Sequence, residues 1–132
     1  MTQRSDGLAL LGRALLALLF ILSGWEKLTG LSGLVGFSAS KNLPMPQVLA
    51  VITVAIELGG GTLLLIGLKA RWVAWVFVVF LLVITPIFHD FWNAAAAQME
   101  NQKINFLKNL AILGGMLMVV AFGPGRFSVD RT

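Results

Sequence analysis

Four apolar blocks alternate with polar connections along the chain, covering residues 7–25, 48–68, 72–88 and 106–122. A hydrocarbon core needs roughly 20 mostly apolar residues per helix, with about 17 as a lower limit, so each block predicts a transmembrane helix. The last two blocks are short, which predicts little tilt or recruitment of interfacial neighbours. The fold expected is all-α: one four-helix transmembrane bundle over residues 1–132. Residues 22–25 lack a small-x-small cleavage pattern, because Leu22 occupies the outer small position. The first block is therefore expected to be kept as a span and not removed as a signal peptide.

The connections differ in kind. The few residues around Lys69-Ala70-Arg71 predict that spans two and three are antiparallel neighbours. Residues 30–47 are a longer link, with Pro44 and Pro46 just ahead of span two. Leu31, Leu34, Val35 and Phe37 in that link predict a short helix resting at the membrane interface. Residues 90–105 read as a polar connection carrying the helix-forming run Ala94–Ala97.

Composition agrees with a membrane reading. The chain is 58% hydrophobic and 12% charged, about half the charged fraction of a soluble domain. Its mean hydropathy is +0.87. Cysteine is absent and His89 is the sole histidine. Disulfides, thiolate chemistry and iron–sulfur ligation within the chain are excluded, and no metal site or intrinsic cofactor is expected. The net charge of +4 points to anionic lipid headgroups and not to nucleic acid, since no basic stretch is long enough to track phosphates. Lys and Arg on the side of the termini are Arg4, Lys69, Arg71, Arg126 and Arg131; the other side holds Lys27, Lys41, Lys103 and Lys108. The positive-inside rule then predicts both termini in the cytoplasm and an inner-membrane location. Trp25, Trp72 and Trp92 fall at block ends, where aromatic belts form.

Besides Lys108 at the edge of the fourth block, two charged residues lie deeper inside the blocks. Arg13 either snorkels to the headgroups or turns inward. Glu57 falls near the middle of span two, too deep for a glutamate to snorkel, so it must be neutral, paired or facing a polar cavity. At about 1.5 Å per residue, Glu57 sits roughly 9 Å deeper than Arg13. The expected contact is an Arg13–Glu57 ion pair, as a candidate intramembrane polar site or as a pair that only fixes helix register. Arg13, Ala17, Phe20, Gly24 and Lys27 share one face of span one; Thr53, Glu57, Gly60 and Gly61 share one face of span two. Small residues beside a charge let two helices approach closely or leave room for a ligand.

A second candidate cluster is expected at the outer end: Lys27, His89, Asp90, Lys108 and Asn109, with Asn105 and Glu26 nearby. His89 is either a proton carrier or an ordinary interfacial residue. Pro86 leaves a carbonyl one turn earlier unpaired at the exit of span three. Gly59-Gly60-Gly61 lies in an apolar helix and is not a nucleotide loop, and no hydrolase or kinase constellation is present.

Taken in order, these segments resemble the DoxX family of small four-helix membrane proteins. Arg13 followed by LLALLFILSGWEKL resembles the family's first helix. Pro44-x-Pro46 then precedes a helix carrying Glu57 and ending LLLIGLKAR, FHDFW closes the third helix, and NFLKNLAILGG opens the fourth. The resemblance covers nearly the whole chain. It implies association with membrane redox chemistry, because relatives include subunits of archaeal thiosulfate:quinone oxidoreductase. Distant eukaryotic relatives act in cargo export or receptor assembly. No catalytic residue set carries over; Arg13, Glu57, Lys108 and Asn109 match the family pattern.

Three functions follow as expectations. The first is an accessory subunit of a quinone-linked redox system, with a quinone as the possible ligand and a protein partner or a second copy of the chain as neighbour. Electrons would come from that partner or from a bound cofactor. The second is a scaffold or assembly factor without its own chemistry. The third is a small proton-coupled exporter, disfavoured because a paired acid exchanges protons poorly and small exporters carry a lone acid in helix one.

Overall fold

The computed structural model describes the backbone of residues 3–131; the Arg4 side chain, counted above toward orientation, lies outside the described residues. Helix α1 runs Gln3–Thr29 and a short α2 follows at Leu31–Ser40. Helix α3 spans Pro46–Ile66, α4 Ala70–Phe88 and α5 Ala96–Phe122. Helices α1, α3, α4 and α5 are each long and apolar enough to cross a membrane. Leu31, Leu34, Val35 and Phe37, expected to form a short helix, lie in α2.

Three boundaries differ from the sequence expectation. Helix α1 extends beyond 7–25 at both ends. The second span ends at Ile66, because Gly67 adopts a left-handed conformation (φ 72°) that a helix cannot propagate. The fourth span begins ten residues before 106. After a 3₁₀ turn at Phe91–Asn93 the alanine run enters a helix directly, and α5 absorbs most of the supposed polar connection. Polar side chains on that first stretch do not stop a helix whose backbone satisfies itself.

Helix α4 is the most enclosed element. Val73, Ala74, Phe77, Val78, Phe80 and Leu81 are buried on one face, while Trp72, Val76, Val79, Leu82 and Val83 are exposed on the other. An exposed apolar face of that size is a liability in water and the natural complement of hydrocarbon. Phe77 meets Phe20 of α1 with ring centroids 4.2 Å apart. Ala17, Leu64, Met116 and Val119 complete the core from the other three spans.

Helices α1 and α3 touch backbone to backbone. A Cβ at Gly24 would lie 2.9 Å from the Leu58 nitrogen, and one at Gly61 would lie 3.3 Å from the Ala17 oxygen. Small residues permit this approach, which in lipid brings dispersion contacts that bulkier side chains would prevent. These contacts also set the register: Gly24 opposes Glu57, and Ala17 and Ile21 oppose Gly61.

Beyond α5 the chain turns back at Gly123 and Gly125 and lies across the end of the bundle that holds both termini. Val129 donates its N–H to Ile66 (3.0 Å) and Asp130 to Gly67 (3.0 Å). The Asp130 carboxylate accepts from the N–H groups of Lys69 (2.9 Å) and Ala70 (2.8 Å). It thereby caps α4, whose first N–H groups would otherwise have no partner.

Candidate functional site

The charges inside the bundle separate to opposite ends. Arg13 is buried (3% exposed) and level with the α3–α4 turn: a Cβ at Gly67 would lie 3.3 Å from its Cζ. Its guanidinium donates to the carbonyl of Pro124, to Phe127 at 2.7 Å and to Leu65 at 3.3 Å. The five-donor fork of arginine suits this set of diverging carbonyls. Arg13 therefore anchors the C-terminal segment.

The expected Arg13–Glu57 pair does not form. Glu57 is level with Gly24, eleven positions further along α1, which at about 1.5 Å per residue places it roughly 16 Å beyond Arg13. Depth counted inward from the block ends assumed that α1 and α3 start level. They are staggered, and α1 runs on past the end of α3 at the terminal side.

Glu57 pairs instead with Lys27, Nζ to Oε1 at 2.5 Å. The two residues expected in separate clusters thus belong to one. Glu57 lies in a π-helical turn, Ala55–Gly60, a widened stretch of backbone that recurs at functional sites. Its carboxyl is buried (2% exposed). Among the described residues its Oε2 has no hydrogen-bond partner.

A cavity of about 160 Å³ surrounds this pair at the end away from the termini. Ser23 and Lys27 of α1, Glu57 of α3, His89 past α4, and Asn105, Lys108 and Asn109 of α5 bring polar groups to its wall. Leu19, Phe20, Leu81 and Ile112 supply the apolar part. The His89 Nδ1 lies 2.8 Å from Gln102 Oε1, which fixes the ring against α5. Asn109 donates to the Thr85 hydroxyl at 3.2 Å.

Of the residues expected at the outer end, Lys27, His89, Lys108 and Asn109 converge on the cavity. Asp90 does not line it. Its carboxylate pairs with Lys41 at 2.8 Å, tying the segment after α2 to the end of α4. Ser23 and Gln102 were not singled out from sequence. Ser23 precedes Lys27 by one helical turn, and Gln102 stands one turn before Phe106; that spacing was the available signal.

The cavity offers a carboxylate, an ammonium paired to it, a second ammonium from Lys108, an imidazole and two amides. This set can hold a small polar group by several hydrogen bonds in a low-dielectric setting, where each is stronger than in water. It does not form a metal cage, and among the described residues no group of three His, Asp or Glu side chains is placed to hold an ion.

The DoxX family model matches residues 8–90. Inner membrane protein YphA of Escherichia coli is 35% identical over 94% of this chain and 89% of its own length. Inner membrane protein YqjF of the same organism is 33% identical over 99% of this chain and 95% of its own. A surfeit locus protein 4 homolog of Schizosaccharomyces pombe is 32% identical over 92% of this chain and 36% of its own length. No solved structure matches.

Proposed function

The chain belongs to the DoxX family of membrane proteins, and from that premise we propose that it is an accessory subunit of a quinone-linked redox system in the inner membrane, holding a quinone ring in the cavity around Glu57. The observation that carries the reading is the buried, unpartnered Oε2 of Glu57 facing a cavity that also presents Lys27, Lys108, His89 and Asn109. A buried acceptor without a partner is costly, and a ligand that donates to it removes the cost. A cavity of about 150 Å³ is enough for one six-membered ring, and the volume here, about 160 Å³, matches that scale.

In this reading the chain's own residues bind and orient. The ammonium groups of Lys27 and Lys108 and the Asn109 amide donate to carbonyl oxygens of the ring. Glu57 accepts from a hydroxyl when the ring is in its quinol form, and Phe20 and Leu81 exclude water. The bound quinone supplies the two-electron carrier; electrons reach it from a protein partner or another cofactor, since this chain has no cysteine or haem ligand set. The terminal end carries Lys69, Arg71, Arg126 and Arg131, which supports placing it in the cytoplasm.

The test is mass spectrometry of organic extracts of the purified protein, comparing wild type with Glu57→Gln. Near-stoichiometric quinone in wild type, depleted in the variant, supports the reading. Absence of any enriched small molecule from both preparations removes it and leaves the scaffold function, in which the Lys27–Glu57 pair serves helix register alone.

A further inference from the structure

The cavity around Glu57 has a neighbour on the other side of one wall. A groove of about 250 Å³ runs along the lipid-facing seam of α4 and α5, lined by Leu82, Pro86, Trp92, Phe106, Leu110 and Leu113. Leu81 and Asn109 line both the groove and the cavity. Thr85 lines the groove, and its hydroxyl receives the Asn109 amide at 3.2 Å, near the long end for such a bond.

From this arrangement we infer that the Thr85–Asn109 seam is a lateral entrance from the bilayer, through which the head of an amphiphile reaches the Glu57 cavity while its hydrocarbon tail stays in the α4–α5 groove. The inference rests on the quinone-ring reading of the cavity and adds the tail, its place and the route. Three features point the same way. The cavity is polar and the groove apolar, so together they match a molecule with one polar end and one hydrocarbon end. Across this wall Asn109 of α5 is joined to α4 by its side-chain hydrogen bond to Thr85, and such bonds between membrane helices are weak. Pro86 lies inside α4 one residue from Thr85; lacking an N–H, it cannot bond the carbonyl of Leu82, so the helix lacks one backbone hydrogen bond at this wall.

The occupant is an isoprenoid-tailed or alkyl-tailed quinone whose ring enters first. A tail-free ring uses the cavity alone, so the two ligands separate the entrance from the head site.

The experiment measures binding of two probes to the purified protein in detergent: a decyl-substituted benzoquinol, whose hydroxyl can donate to Glu57, and the same quinol ring without its tail. Leu82→Trp and Leu110→Trp place bulk in the groove from its two walls without touching the cavity. The expected result is that each variant weakens the tailed probe about tenfold and leaves the tail-free probe at the wild-type affinity. Equal affinity of wild type and both variants for the tailed probe, with the tail-free probe bound normally, overturns the entrance and leaves the head site standing. Failure of wild type to bind either probe overturns both. A measurement on the unaltered chain guards against misfolded variants. A photoreactive group on the decyl tail should label Leu82, Trp92, Phe106 or Leu110, and labelling confined to other helices overturns the proposal.

Discussion

Glu57 and Lys27, thirty positions apart, meet at 2.5 Å with the carboxylate side chain 3% exposed and the ammonium side chain 32% exposed. The asymmetry matters for what each residue does. The glutamate is held inside the bundle by the α1–α3 register, whereas the lysine reaches down to it from the rim. Truncating the lysine strands a buried acid, while neutralising the acid leaves a lysine that can turn back toward water. Lys27→Met is therefore expected to destabilise the protein by about 2 kcal/mol, below the usual cost of breaking a fully buried pair because Lys27 is partly solvated. Glu57→Gln should cost less than about 1 kcal/mol. The double variant should lie closer to wild type than the sum of the singles. Thermal unfolding of the four proteins in one detergent gives the cycle, and strict additivity would show that the pair does not couple.

At the other end, Asp130 bonds the first N–H groups of α4 while Arg13 bonds three carbonyls, two of them in the same terminal segment. These contacts close one tie from opposite sides. Asp130→Ala removes a helix cap and should cost about 1 kcal/mol. Arg13→Lys keeps the charge but has no planar fork to serve diverging acceptors, and it should cost more than the cap, about 2 kcal/mol. The two losses should be less than additive, because releasing the segment at either point already frees the other. Protease accessibility of residues 126–131, followed by mass spectrometry, should rise in both variants.

How much of this was legible follows from periodicity and its limits. The four spans, the short helix that follows the first of them and the buried faces of α1 and α3 were readable, because a bilayer demands long apolar helices and places small residues where they touch. The convergence of Lys27, His89, Lys108 and Asn109 was readable from their position at one end. The partner of Glu57 was not. Helix ends inferred from hydropathy do not report stagger, and a stagger of about one and a half turns exchanges Arg13 for Lys27. The terminal tie was also invisible, since backbone carbonyls at Pro124 and Phe127 carry no side-chain signature. The π-helical turn at Ala55–Gly60 has none either, beyond the glycines that close it.

Neighbouring glycines in α3 make a sharp comparison. A Cβ at Gly61 would lie 2.9 Å from Ile21 Cγ1 and 3.3 Å from backbone atoms of α1, whereas a Cβ at Gly59 meets nothing within 4 Å. Gly61→Ala should push α1 from α3 and destabilise by about 1–3 kcal/mol. Gly59→Ala should be neutral or stabilise by up to about 1 kcal/mol, since alanine is the better helix former. Unfolding temperatures that fall equally in both variants would contradict the close α1–α3 contact.

The second ion pair, Lys41–Asp90, differs from the first in its setting. Its side chains are 26% and 23% exposed, so water and salt reach both partners. Screening acts over about 8 Å at physiological ionic strength and weakens exposed pairs far more than buried ones. Lys41→Gln is thus expected to lower the unfolding temperature far less than Lys27→Met does, and that small loss should fade as salt rises from about 0.01 M to about 1 M, where the screening length drops to about 3 Å. The Lys27→Met penalty should persist over the same range, because its glutamate is enclosed by protein. Unfolding of both variants across a salt series checks the contrast. A Lys27→Met penalty that vanished with salt would place Glu57 in contact with solvent and remove the enclosed site on which the quinone reading depends.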